Sequence, residues 1–293
     1  MSDGRFSRQI LAFGEEGQKK LAAAKVGIVG LGGMGSQIAQ ALAYLGVEDF
    51  LTVDDDIVEE SNLNRLVGAL PVDVREKRLK VDVAERMIKQ ISPDARINKL
   101  PVNLRNENVL DALTHINYLF GCVDNDAARL ILTELSSAYE IPLIDSASEI
   151  LSEEGKIAEF GGRVIIARPG DFCALCANQI DLEDAKVELE SPPEREFRKK
   201  HGYGMSPRAV APAVISLNGI IANLAVTEFL VLLTNVRPPN RMVVYWGMRG
   251  NVNIRTDEKK ECCMICNSLV GKRESADLKR YARTGLPKDL PSF

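Results

Sequence analysis

Residues 26–36, VGIVGLGGMGS, predict the fold of this chain. An apolar run, VGIV, leads into a glycine-rich turn, and apolar residues then recur at helical spacing at Ile38, Leu42 and Leu45. The order strand, glycine turn, helix is the context of a phosphate-binding loop, because glycine permits a tight turn and the first amides of a helix attract phosphate. The candidate nucleotide-binding residues of the loop are Gly30, Gly32, Gly33, Gly35 and Ser36.

A second predicted strand follows this loop and ends at Asp54, about where dinucleotide-binding folds place a ribose-binding carboxylate. On these residues alone, a dinucleotide and a mononucleotide are nearly equal alternatives. A P-loop kinase or ATPase is disfavoured, because that motif closes with Lys-Ser or Lys-Thr and Gly35 is followed by Ser36-Gln37. Cations for a triphosphate would therefore have to come from elsewhere in the chain.

Polar side chains after the second and a later predicted strand can supply those cations and a carboxylate. They are Asp56, Asn62, Arg65, Lys80, Asp124 and Asn125. Open α/β sheets bind ligands at the carboxyl ends of their strands, so these side chains can meet a nucleotide there. The alternatives are that Arg65 and Lys80 are solvated surface charges, and that Asp124-Asn125 only forms a turn and a helix cap.

The order of these motifs resembles that of the adenylyltransferases that activate ubiquitin-like and sulfur-carrier proteins, a family that includes MoeB, ThiF and the ubiquitin-activating enzymes. The resemblance covers most of the chain. It runs from RFSRQ at residues 5–9, through the glycine loop and NLNR at residues 62–65, to CMIC at residues 263–266.

The resemblance implies a role for each candidate residue. In that family the loop and an acid like Asp54 hold ATP, and residues like Asn62, Arg65 and Lys80 bind its triphosphate. An acid like Asp124 binds magnesium, and an arginine like Arg8 reaches into the active site of the partner subunit of a homodimer. The candidate catalytic residues are thus Arg8, Asn62, Arg65, Lys80 and Asp124, with Asp56 and Asn125 added to the nucleotide-binding set. One departure concerns the lysine: family members often carry glycine three residues before it, whereas this chain has Lys77, which competes with Lys80 for the role.

The implied reaction is ATP- and magnesium-dependent adenylation of the C-terminal carboxylate of a carrier protein with a glycine tail, giving acyl-AMP and pyrophosphate. Such a carboxylate is already ionised near neutral pH, so the reaction needs fixed cations and a metal and no general base. Two other classes stay open: an NAD-dependent oxidoreductase using the same loop, and a non-catalytic partner of an activating enzyme. Later transfer of the acyl group to a cysteine, or to a conjugating enzyme, is also left open.

Four of the six cysteines form two Cys-x-x-Cys pairs, Cys173 with Cys176 and Cys263 with Cys266. Two such pairs can supply four thiolates to a tetrahedral zinc ion with no open position for substrate, so we expect a structural zinc site. Cys262 could replace Cys263 as a ligand. If a thioester forms on this chain, Cys122 or Cys262 must carry it, although Cys122 falls within a predicted strand and is more often a core residue.

The alternation of predicted elements indicates an α/β fold: a Rossmann-like, doubly wound, mostly parallel sheet with an antiparallel extension, a helical N-terminus and the zinc site. We expect one domain over 1–293, with a helical segment at 1–24, a nucleotide-binding half at 25–150 and a second half at 151–270. A mobile crossover linker is expected at 181–206, and a flexible tail at 271–293. Among the elements, we expect a helix at 76–91, a strand at 141–145, and a buried or dimer-contact helix within the apolar run 214–236, in preference to a membrane span.

The composition excludes few functions. With a formal net charge of −4, the protein lacks the overall basic character that indicates nucleic-acid binding. Residues 1–5 lead into a charged amphipathic segment and not into a signal-peptide pattern, so we expect a cytoplasmic protein without membrane partners.

Overall fold

The computed structural model describes residues 4–200, 211–267 and 271–283. In this part of the chain a single sheet has the strand order β3-β2-β1-β4-β5-β6-β7-β8. The strands are β1 Lys25–Val29, β2 Asp49–Val53, β3 Arg96–Leu100, β4 Tyr118–Gly121, β5 Leu143–Glu153, β6 Lys156–Ala167, β7 Met242–Trp246 and β8 Asn251–Arg255. Strands β3, β2, β1, β4 and β5 are parallel, and β6, β7 and β8 extend the sheet antiparallel. The predicted fold class is therefore confirmed.

Helices cover both faces of the sheet. Within the described residues the α-helices are α1 Ser7–Ala23, α2 Gly33–Leu45, α3 Pro71–Arg75, α4 Lys80–Ile91, α5 Glu107–Leu113, α6 Asp126–Tyr139, α7 Leu182–Leu189, α8 Pro192–Lys200, α9 Ile215–Thr234 and α10 Arg280–Arg283. One apolar core lies between the sheet and α1, α2, α4 and α9. A second core lies on the other face, among α5, α6 and the cysteine-bearing segments. The strand order reverses between β1 and β4, which places a crevice at their carboxyl ends.

Helix α9 is the apolar segment at 214–236. It packs against α2, β5 and β6, and Phe229 stacks edge-on against Phe120 and Tyr118 of β4. It is long and apolar enough to cross a membrane by length and composition, but half of that window is buried within the protein. The helix thus lies in the core, as expected.

Several elements differ from the sequence-based expectation. The helix expected at 76–91 begins only at Lys80, as α4, and the separate short helix α3 ends before it at Arg75; Lys77 between the two has a left-handed backbone with φ 50°. Strand β5 begins at Leu143 and continues to Glu153, since it pairs antiparallel with β6 along its whole length.

Parts of the predicted crossover linker and of the predicted tail form helices or pack on the protein in the described structure. The linker contains α7 and α8, and the side chain of Asp181 caps α7 by accepting from the Glu183 and Asp184 amides; its residues 201–206 lie outside the described part. In the tail, residues 271–283 pack on the protein, with Leu278 and Tyr281 buried in the second core. Residues 284–293 lie outside the described part.

Candidate active site

The glycine loop brings backbone amides close to the carboxyl ends of β1 and β4. Gly30 has φ 86°, and a Cβ on it would lie 2.5 Å from the Cys122 carbonyl oxygen, so the turn requires glycine. Gly32 precedes the first turn of α2, which begins at Gly33. A Cβ on Gly35 would lie 1.9 Å from the Gly30 carbonyl oxygen, so glycine here lets the helix pack directly on the loop.

Asp54, directly after β2, holds the loop from the other side. Its carboxylate accepts from the Leu31 amide at 2.6 Å and from the Asp56 amide at 3.0 Å. Burial raises the pKa of Asp54 above its ordinary value, an effect that Lys80 and the two amides partly offset. Beside the loop, the desolvation of the Asp54 carboxylate therefore outweighs the contacts that stabilise its charge.

Two cations lie around the same loop. Lys80, at the first position of α4, forms an ion pair with Asp56 at 2.7 Å, and its amide donates to the Asp56 carbonyl at 2.9 Å. The aliphatic part of Arg65 lies against Gly33, with Cγ 3.1 Å from where a Cβ would be. Both side chains can thus reach an anion held at the start of α2.

The carboxyl end of β4 contributes a carboxylate and a cap. Asn125 caps α6 by accepting from the Ala128 amide at 2.8 Å, and its amide nitrogen lies 3.4 Å from the Asp124 carboxylate. Arg129 donates to the Val123 carbonyl at 3.0 Å, which fixes the loop that carries Asp124.

These groups share one cavity of about 1680 Å³. The predicted site residues that line it are Gly30, Gly32, Gly33, Asp54, Asp56, Arg65, Lys80, Asp124 and Asn125. The cavity continues beyond them over β5, β6 and β7, where Glu149, Gly161, Tyr245 and Trp246 line it. Helices α7 and α8 border it through Glu188 and Arg195, and the Glu188 carboxylate accepts from the Ala127 amide at 2.8 Å.

Four other predicted residues do not line this cavity. Ser36 is buried, and its Oγ accepts from the Val67 amide at 3.0 Å. Asn62 is also buried, and its Oδ1 accepts from the Glu59 amide at 3.1 Å. Gly35 packs behind the loop, and Arg8 is exposed on the first turn of α1. Ser36 and Asn62 therefore shape the loop and the following turn, and within a single chain Arg8 lies outside the cavity.

Lys77 and Lys80, the two candidates for the triphosphate-binding lysine, lie in different surroundings. Lys80 lines the cavity, whereas Lys77 is exposed and outside its lining. Lys77 occupies, with φ 50°, the left-handed conformation that glycine favours, at the position where family members often carry glycine.

Sequence reasoning missed a buried ion cluster on the wall of the cavity. Asp145 of β5 is fully buried and binds Arg163 of β6 at 2.6 Å and Arg129 of α6 at 3.2 Å. Burial disfavours its ionisation, but the two guanidinium groups outweigh burial and hold the pKa of Asp145 below its ordinary value. The only sequence signal was an acid at the end of a predicted strand, because its partners lie 16 and 18 residues away on other elements.

The two cysteine pairs converge in a buried cluster. The sulfur–sulfur distances are 3.8 Å for Cys173–Cys176, 3.7 Å for Cys173–Cys263 and 3.7 Å for Cys176–Cys266. A tetrahedral zinc ion with Zn–S bonds of about 2.3 Å requires sulfurs about 3.8 Å apart, so the four thiols fit zinc. Hydrogen bonding from Cys266 lowers the pKa of Cys173 to about 6, which favours a thiolate ligand. The cluster joins the segment after β6 to the segment after β8.

The two remaining cysteines differ in accessibility. Cys262 is exposed and is not one of the four clustered residues. Cys122 lines the cavity at the end of β4, and burial raises the pKa of its thiol. Such a thiol is a poor nucleophile at neutral pH.

The doubly wound sheet, the glycine turn and the cation-lined cavity at the β1–β4 crevice define an α/β protein of the nucleotide-binding class. The ThiF family matches residues 6–265, and the chain belongs to this family. The family resemblance drawn from the motifs is thereby confirmed.

Its relatives bear on the kind of enzyme. The chain is 30% identical to the sulfur carrier protein ThiS adenylyltransferase of Escherichia coli K12, over 80% of this chain and 83% of that protein. It is 26% identical to the sulfur carrier protein adenylyltransferase of Thermus thermophilus, over 94% and 95% of the two chains. By these relationships the chain is an adenylyltransferase.

Solved structures support the fold. The crystal structure of E. coli MccB with ATP matches 90% of this chain and 75% of that one, with a TM-score of 0.68 and 19% identity. At this identity the likeness shows a shared fold.

Proposed function

We propose that the protein uses ATP and magnesium to adenylate the C-terminal carboxylate of a ubiquitin-like or sulfur-carrier protein. The observation that carries this proposal is that Lys80, Arg65 and Asp124 line one cavity with the glycine loop, with Arg65 against the first residue of α2. This set supplies cations and a carboxylate where a triphosphate would bind.

In the proposed reaction a carboxylate oxygen of the carrier attacks the α-phosphorus, and the bond to the bridging oxygen of pyrophosphate breaks. Negative charge then develops on the leaving pyrophosphate, and Lys80 and Arg65 stabilise it. To do so, Lys80 exchanges its ion pair with Asp56 for the phosphates. The loop amides and the positive end of the α2 dipole bind the phosphates and orient them.

Asp124 is the residue that would hold magnesium, since carboxylate oxygens are among the ligands this ion takes and the side chain faces the same cavity. When bound, magnesium neutralises phosphate charge during displacement. Arg129 holds the loop that carries Asp124 through the Val123 carbonyl.

The part of the cavity over β5, β6 and β7 is the proposed path of the carrier tail. Gly161 lies on this wall, and a Cβ there would lie 2.4 Å from the Tyr245 carbonyl oxygen. At this point the wall therefore consists of backbone atoms without a side chain. The bordering helices α7 and α8 would lie across an extended tail. Several relatives are named for sulfur-carrier proteins, and one is named SAMP-activating enzyme E1, from Haloferax volcanii.

The assembly and the later steps are part of the same proposal. The protein acts as a cytoplasmic homodimer in which Arg8, exposed on α1, enters the partner subunit's cavity. For acyl transfer, Cys262 is the exposed thiol of this chain, whereas Cys122 is half-buried and burial raises the pKa of its thiol. Direct transfer from the adenylate to a cysteine of another protein, such as a conjugating enzyme, needs neither residue.

The test is carrier-dependent exchange of labelled pyrophosphate into ATP, followed by intact-mass analysis with and without reductant. Lys80→Ala should lose exchange, and Lys77→Ala, three residues away, should retain it. A reductant-sensitive adduct that disappears in Cys262→Ala would locate a thioester. Thermal stabilisation by NAD, with none by ATP and magnesium, would contradict the proposed use of ATP.

A further inference from the structure

Asn218 is the fourth residue of α9, and none of the sequence motifs predicts a functional role for it. It comes from the second half of the chain, yet its Nδ2 lies 2.4 Å from where a Cβ on Gly33 would be. The amide group therefore sits directly over the first residue of α2. Arg65 flanks the same point, with its Cγ 3.1 Å from that Cβ position.

The orientation of this amide is set from behind. The Ser148 hydroxyl on β5 donates to Asn218 Oδ1 at 2.9 Å, which leaves Nδ2 on the side of the glycine loop and the cavity. Asn218 is only 5% exposed. Among residues 4–200, 211–267 and 271–283, no hydrogen-bond acceptor is found for Nδ2.

The Asn218 side chain is largely buried and lines the cavity, so an acceptor for its Nδ2 can come from a ligand bound there. Here the donor is aimed at a helix N-terminus, where the first amides already favour an anion. From these two independent observations we infer that Asn218 is a nucleotide-binding residue, whose Nδ2 donates a hydrogen bond to a phosphate oxygen held over Gly33. This inference rests on the proposed function for the identity of the ligand as a nucleoside triphosphate.

The geometry also explains a constraint on the loop. A side chain at position 33 would collide with Asn218 and with Arg65, so Gly33 leaves the space in which both can approach one anion. Helix α9 thereby couples the second half of the chain to the phosphate site, and Ser148 acts as a positioning residue.

The test is equilibrium binding of ATP with magnesium, and of adenosine, to the full chain without carrier. Asn218→Asp keeps the size of the side chain and its acceptor for Ser148 but replaces the donor by an anion. We expect it to weaken ATP binding roughly tenfold or more, since a hydrogen bond to a charged group is lost, and to leave adenosine binding unchanged. Ser148→Ala, which removes only the orienting contact, should weaken ATP binding by roughly threefold.

Asn223→Asp is the matched control. Asn223 lies on the same helix, is exposed, and donates to the Gly219 carbonyl at 2.7 Å, so ATP binding should equal that of the wild type. Unchanged ATP affinity in both Asn218→Asp and Ser148→Ala, or equal loss for ATP and adenosine, would overturn the inference. So would an effect confined to the KM for the carrier. Absence of ATP binding by the wild type would instead refute the proposed function on which the inference rests.

Discussion

The left-handed backbone at Lys77 leads to a prediction with an unusual sign: Lys77→Gly should stabilise the protein. Lys77 has φ 50° between α3 and α4, and its amide donates to the Val74 carbonyl at 3.1 Å. Its side chain is exposed and outside the cavity. Substitution by glycine therefore removes a backbone penalty and no buried contact.

The magnitude follows from two opposing contributions. A non-glycine residue in the left-handed region costs about 1–2 kcal/mol, and glycine removes this cost. Glycine also gives the unfolded chain more conformational freedom, which destabilises the folded state by about 0.5–1 kcal/mol. The net expectation is an increase of about 0.5–1 kcal/mol in the free energy of unfolding, or about 1–4 °C in Tm. Lys77→Ala, which removes the side chain and keeps the penalty, should leave Tm near that of the wild type.

Urea unfolding and thermal melting of the two variants measure this difference, and pyrophosphate exchange measures function in the same samples. Exchange should persist in both, because Lys80 is the lysine that faces the cavity. A lower Tm for Lys77→Gly than for Lys77→Ala would refute the backbone argument. Loss of pyrophosphate exchange in Lys77→Gly, with the fold intact, would show that the Lys77 side chain contributes to the reaction.

Three further predictions concern the groups that hold the site together. Asp145→Asn leaves two buried guanidinium groups without their carboxylate and should lower the free energy of unfolding by about 3–5 kcal/mol in urea titrations; a loss below about 1 kcal/mol would contradict this. Because the folded pKa of Asp145 is lowered, its stabilisation is present above the unfolded pKa of about 3.9 and is lost as pH falls through the folded value, which acid titration of wild type against this variant can follow. Cys176→Ser should reduce bound zinc, measured by elemental analysis, from about one ion per chain, and a wild type purified without zinc would disprove the site. Asp124→Ala should reduce pyrophosphate exchange by about a hundredfold or more with Tm nearly unchanged, and wild-type exchange in this variant would remove the metal assignment.

The part of the site that the sequence predicted best is local in the chain. The strand, glycine turn and helix at residues 26–45 carry their own signals, and Gly30 and Gly33 occupy the positions expected of them. The cysteine pairs were equally predictable, because zinc chemistry restricts both residue type and spacing. The direction of the Ser36 side chain was harder to predict, because a serine at the start of a helix can face the ligand or the core, and here its Oγ accepts from the Val67 amide.

The break at Lys77 shows how tertiary structure can outweigh a local pattern. Residues 76–91 have the apolar spacing of one helix, but Arg78 and Lys80 bond instead to Val58 and Asp56 in the segment after β2. A lysine accepts the left-handed turn there at a modest cost. The departure from the family pattern at this position was visible in the sequence, but its conformational meaning was not.

The remaining site residues could not be predicted because their function depends on contacts between the two halves of the chain. Asp145 is the last residue of β5 that pairs with β4 while also pairing with β6, and its ionic partners come from α6 and β6. Asn218 reaches the glycine loop from α9, across 185 residues (218 minus 33). Both couple the nucleotide-binding half to the half proposed to receive the carrier tail. A fragment of residues 25–150 would keep the glycine loop, but it would lack Arg163 to balance Asp145 and Asn218 to complete the phosphate site, so the loop alone should bind ATP more weakly than the intact protein.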